Sequence, residues 1–254
     1  MRYLIKADFK KTFNLKKNRN YVIILGVLSI FFSLTFLFTL NVTQKKQIID
    51  LSSIELLDVS LLGMDVVTIM LVIFFANFIA KEFTTEQVYT SLAITPLRHK
   101  FYLSKILFVL LLSIGVGVIL ILTILGLDQL VLSMYEMQTI PLFHQTVLSK
   151  LIGTLFMVIF YSILSATGSF YFQSVSGGIT FSLGIMFIPA LVKLFPEGFS
   201  ELFLSFLPEK SLSTLIKIGM FNLDNTILFS ILVLLFWLLV PLIFGFKKFN
   251  ETDF

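Results

Sequence analysis

Covalent chemistry has few places to reside in this chain of 254 residues. There is no cysteine, which removes thiol nucleophiles, disulfides and thiolate metal sites together. The two histidines, His99 and His144, stand apart, and no His-Glu-x-x-His pattern frames either. A zinc-activated water of the intramembrane metalloprotease kind is therefore excluded. No Gly-x-x-x-x-Gly-Lys-Ser/Thr loop occurs. Gly115-x-Gly117 and Gly177-Gly178 lie in apolar runs and lack the lysine that such a loop needs. The expectation is no catalytic residue, no metal ligand set and no cofactor bound by this chain. What remains is docking chemistry, concentrated in KEFTTEQVYTSLAITPLRHK, residues 81–100.

Thr84 and Gln87 have capping-box spacing, which predicts a short helix from about 85 to 94. Val88 and Leu92 share a face, with Tyr89 and Ala93 alongside. Thr95 cannot comfortably stay helical before Pro96, so the stretch reads as helix, break, new helix, with Thr95 as N-cap and Pro96 at the first position. Glu82 and Glu86 supply negative charge. Arg98, His99, Lys100 and Lys105 supply positive charge at the level of lipid phosphates. An ordinary solvated loop is the competing reading of the same residues.

Such a polar stretch is conspicuous because the rest of the chain is oily. Hydrophobic residues make up 57% and charged residues 13%, and the mean hydropathy is +0.98. A soluble domain carries roughly 25% charge, so the bilayer is the solvent that fits. The expected fold is all-α: one polytopic membrane domain, 1–254. Six runs approach or reach the ~20 apolar residues a crossing requires, giving spans at 20–40, 61–81, 101–127, 150–172, 177–193 and 225–246. Residues 1–19 read as a basic amphipathic helix lying in the headgroup layer. Residues 196–222 read as two short amphipathic helices interrupted at Pro208, either re-entrant or surface-lying.

With six spans, 13 Lys and Arg fall on the side of the termini and the 82–100 loop, against 6 on the other; acidic residues divide 5 to 10. The net charges, +8 and −4, place both termini in the cytoplasm of a multi-pass plasma-membrane protein. The overall charge of +4 is thus an orientation signal, and no nucleic-acid partner is expected. Span centres carry no ionisable residue, which argues against an ion-coupled carrier and for an external energy source. Asn77 is the one amide of the second span and would line a cavity or clamp a neighbouring helix, the clamp being favoured. Small residues four apart (Ser162 and Ala166, Ser165 and Ser169, Thr180 and Gly184) suit close helix packing.

AKEFTTEQVYTSLAITPLRHKFYLSKIL, about 30 residues, resembles the cytoplasmic loop of ABC-2-type transporter permeases. The matching positions are Glu82, Leu92, Thr95 with Pro96, Arg98 and Lys105. The family's usual Gly-Thr pair early in the helix is Glu86-Gln87 here. The six-span layout, the flat amino-terminal helix and the outer pair are also similar to that family. Among its members, the chain looks most like small Gram-positive permeases that export amphipathic peptides, such as the phenol-soluble-modulin exporter or lantibiotic immunity pumps. The resemblance implies a bacterial permease subunit working with a separate cytoplasmic ATP-binding-cassette ATPase, which binds ATP and Mg. It also implies a second permease copy or related permease, an amphipathic peptide as cargo, and ATPase coupling through Glu82, Glu86, Val88, Tyr89, Leu92, Thr95, Pro96 and Arg98. The alternatives are an ABC exporter for a small drug or ion, and a membrane scaffold or sensor that recruits an ATPase without transport.

Overall fold

The computed structural model describes residues 1–40, 45, 47–94, 97–217 and 225–252. Among these, all regular structure is helical. Helix α1 is Arg2–Asn14, α2 Lys16–Phe38, α3 Ser53–Leu61, α4 Gly63–Thr84, α5 Gln87–Ile94 and α6 Arg98–Met134. Helix α7 is Gln145–Phe172, α8 Val175–Val192, α9 Glu197–Phe206, α10 Pro208–Lys217 and α11 Asn225–Glu251. Among the described residues, six segments are long and apolar enough to cross a bilayer: α2, α3 with α4, α6, α7, α8 and α11. The chain is thus an all-α polytopic membrane protein. Six crossings return both ends to one face, termed here the terminal face. The opposite one is the far face.

Several boundaries differ from the sequence expectation. The first span begins at Lys16, because the chain breaks at Leu15 in extended geometry and turns directly into α2. The third, expected to end at 127, runs on through Asp128 to Met134. Asp128 is 1% exposed and accepts a 2.6 Å hydrogen bond from Ser60 Oγ, while the Ser60 carbonyl accepts one from Ser33 Oγ. The polar group is satisfied, so the helix can continue past it.

Helix α7 is the hub, packing on α4, α6, α8 and α11. Its inner stripe of small residues permits this. Ser162, Ser165, Ala166 and Ser169 are fully buried. Ser165 Oγ donates to the Val72 carbonyl of α4 at 2.6 Å, and Ser182 Oγ of α8 donates to the Tyr161 carbonyl at 3.0 Å. A Cβ at Gly178 would lie 2.0 Å from Ser169 Oγ, so only glycine lets α8 sit this close. Thr180 and Gly184 play no such part: nothing lies within 4 Å of a Cβ at Gly184, and Thr180 is exposed.

The α9–α10 pair folds back along the bundle. Trp237 Nε1 donates to the Phe206 carbonyl at 2.8 Å, and at 1.5 Å per residue Trp237 lies about 18 Å along α11 from its far-face start. The bond satisfies a carbonyl that the end of α9 would leave orphaned. Chain reversal at Leu207 and Pro208 follows, and α10 returns against α7 and α11. There a Cβ at Gly153 would meet the Ile216 Cα at 3.0 Å. Leu212 and Ser211 are buried along the way.

Candidate functional site

At the terminal face, four charged side chains from three helices meet below the 82–100 loop. Lys105, in the second turn of α6, donates from Nζ to Asp8 Oδ1 of α1 and to Glu82 Oε1 of α4, both at 2.7 Å. Lys11 Nζ donates to the same Glu82 oxygen at 3.1 Å and to Gln87 Oε1 at 3.2 Å. The side chains of Lys105, Asp8 and Glu82 are only 6–7% exposed. Lys105 also sits over the rings of Phe78 and Phe101, 5.4 and 5.2 Å from their centroids, which adds quadrupole attraction in a dry setting. One ammonium thus fastens α1 and α4 to α6, and Lys11 extends the link to the first residue of α5.

Helix α1 is therefore a docked element. Phe9 packs edge-on against Phe108 at 5.2 Å, and the buried face includes Asp8 and Thr12. Its exposed outer residues, Met1, Tyr3 and Phe13, remain suited to the headgroup layer. Asp8 went unnoticed in the sequence. The available signal was its register: Ile5, Asp8, Phe9 and Thr12 follow i, i+3, i+4, i+7, placing one carboxylate on the apolar stripe.

The loop differs from its expected capping. Thr84 ends α4, and its hydroxyl and that of Thr85 turn back to the Lys81 carbonyl, so no Thr84–Gln87 capping box forms. Reversal is made by Glu86 in left-handed geometry, φ 56°, and α5 starts at Gln87. Val88 is 1% exposed and belongs to this chain's own core, which removes it from any surface a partner could touch. Leu92 is half-buried against the same core. The outward residues of α5 are Tyr89, Thr90 and Ala93, with Glu86 exposed beside them. Thr95 and Pro96 lie outside the described residues.

Arg98 is not turned toward lipid phosphates. Its Nη1 donates to the carbonyls of Asn250 at 2.7 Å and Thr252 at 2.8 Å, capping the carboxyl end of α11, where a cation also meets the negative pole of the helix. Nearby, Phe83, Phe101, Tyr102, Phe170 and Phe249 interlock, joining α4, α6, α7 and α11. Asn77 is not a clamp; its amide donates to the Ile73 carbonyl of its own helix at 3.4 Å, and the residue lines a cavity.

Burial raises the Asp8 carboxyl above its ordinary value, with the Lys105 ammonium opposing and Glu82 and Lys11 acting more weakly in opposite senses. A carboxylate raised in the folded state contributes stability at low pH that is lost as pH rises through the folded value. As pH rises above the ordinary carboxylate value of about 4, the thermal midpoint of the wild type should fall relative to that of Asp8→Asn. A pH-independent difference between the two would contradict this electrostatic reading.

No family model matches the chain, and no curated protein matches it.

Proposed function

We propose that the chain is the membrane permease subunit of an ATP-driven exporter of the ABC-2 type, in a bacterial plasma membrane with both termini cytoplasmic. ATP and Mg are bound by a separate ATP-binding-cassette subunit that docks on α5. The observation that carries this reading is the mounting of α5: a short helix outside the bundle, tied by Lys11 through Gln87 to a buried ion cluster, with its far side open. A force applied to α5 is delivered at once to α1, α4 and α6. Glu86 adds support, since its left-handed backbone is what a glycine serves, and the resembled permeases carry glycine there. The ion-poor spans and the charge asymmetry favour an external motor and this orientation.

The cargo is an amphipathic membrane-active peptide, and two permeases, identical or related, form the path. The outward faces of α2, α8 and α11 are apolar and exposed, with Ile23, Phe187, Leu232 and Phe236 among them, and they provide for lipid and for a second copy. Reconstitution with the ATPase subunit tests the assignment: ATP hydrolysis should rise when an amphipathic helical peptide is added, and peptide should enter inside-out vesicles. Hydrolysis indifferent to peptide, with a small drug or ion moved instead, would reassign the cargo; no coupled movement of any solute would favour the scaffold.

A further inference from the structure

Beside the ion cluster, between the start of α2 and the last turns of α4, lies a cavity of about 510 Å³. This falls within the range of small-ligand sites. Its rim carries Lys16, Lys17 and Lys81, and its wall and floor are Tyr21, Phe74 and Phe78. The amine of Lys81 adjoins that of Lys17, and among the described residues no carboxylate pairs with Lys16, Lys17 or Lys81. The one rim cation that is neutralised is Lys11, through Glu82. Like charges held together without a counter-charge repel, so the rim favours a bound anion. The first turn of α2, whose residues line the cavity, has no side-chain cap. Tyr21 is fixed as a wall by its hydroxyl, which donates to the Met70 carbonyl at 2.9 Å.

We infer that this cavity is a binding site for an anionic phospholipid, with the phosphodiester headgroup among Lys16, Lys17 and Lys81 and the upper acyl chain against Phe74 and Phe78. The chemistry of the rim alone would also accept free phosphate. The aromatic floor decides for the lipid, because the cavity passes from a cationic mouth to an apolar depth along two membrane-spanning helices, which is the polarity profile of a lipid at the interface. Basic pockets between spans are a general route to anionic headgroup recognition. A lipid there would touch α1, α2, α4 and the start of α5, and so would stiffen the mounting of α5. The site itself does not depend on the transport reading.

The test is native mass spectrometry of the full chain in neutral detergent, titrated with phosphatidylglycerol or with phosphatidylcholine of identical acyl chains. Phosphatidylglycerol should be retained at a concentration tenfold or more below phosphatidylcholine. The Lys17→Gln/Lys81→Gln variant should lose that preference, while Lys247→Gln/Lys248→Gln, at the end of α11, should keep it. The substituted rim positions are exposed, so folding should survive, and Lys17→Gln alone should lose part of the preference. Equal retention of the two lipids, or an undiminished preference in the rim variant, would overturn the site. Displacement of phosphatidylglycerol by inorganic phosphate at comparable concentration would show a free-anion site and overturn the lipid assignment.

Discussion

Replacing Lys105 by Gln is expected to destabilise the folded chain by about 3–5 kcal/mol, the usual effect of breaking a buried ion pair from one side. The reason is what the substitution leaves behind. Asp8 and Glu82 would stay at about 7% exposure, two carboxylates facing each other without their shared ammonium. Asp8 Oδ2 is already buried without a hydrogen-bond partner, so the cluster has no spare donor to redistribute. Only Lys11 would remain, at 3.1 Å from Glu82 and partly solvated. Thermal unfolding of purified protein in detergent measures the effect. Combining Lys105→Gln with Asp8→Asn and Glu82→Gln should restore much of the loss, because neutral groups are cheaper to bury than unpaired ions. A single variant within about 0.5 kcal/mol of wild type would mean that the cluster does not hold α1, α4 and α6 together.

Placing a carboxylate on the outward side of α5 should act on assembly and leave the fold alone. Ala93→Asp combined with Tyr89→Asp is expected to weaken ATPase binding by a factor of about ten or more. Burying an apolar side chain contributes roughly 1.5–3 kcal/mol, and 1.4 kcal/mol is about tenfold in affinity. Tyr89 is 48% exposed and Val88 1%, so neighbouring positions should separate cleanly. Val88→Asp should unfold the terminal face, whereas the Tyr89/Ala93 variant should keep its thermal midpoint and lose co-purification of the ATPase. Similar behaviour of the two variants would contradict the division of α5 into a core side and a docking side.

The spans were legible because each is a long apolar run, and the bilayer admits essentially one way of satisfying such a backbone. The α9–α10 pair was legible as two amphipathic stripes, but its seat on the bundle was not. That seat is set by Trp237 reaching the Phe206 carbonyl and by a glycine at 153 that lets Ile216 approach; neither is a local pattern. The candidate site divides in the same way. Glu82 and Lys105 stand out as charges at span ends, 23 residues apart, yet the second carboxylate that Lys105 holds, Asp8, is 97 residues from it, and nothing near Lys105 announces it. Arg98 looked like a lipid or partner contact because a basic residue at a span end usually is one. Its true acceptors are more than 150 residues away. Glu86 hid its role because a glutamate gives no warning of a left-handed backbone.

The central claim is that α5 is the surface through which an ATP-driven subunit acts on this membrane domain. A cysteine or photo-reactive residue placed at Ala93, on the exposed side of α5, tests it most directly when the full chain is cross-linked in native membranes and the adduct identified by mass. The account predicts an adduct with an ATP-binding-cassette subunit that forms from position 93 and is lost when Tyr89→Asp is added. An adduct-free position 93 in membranes where that subunit is present, or an adduct unchanged by Tyr89→Asp, would contradict it.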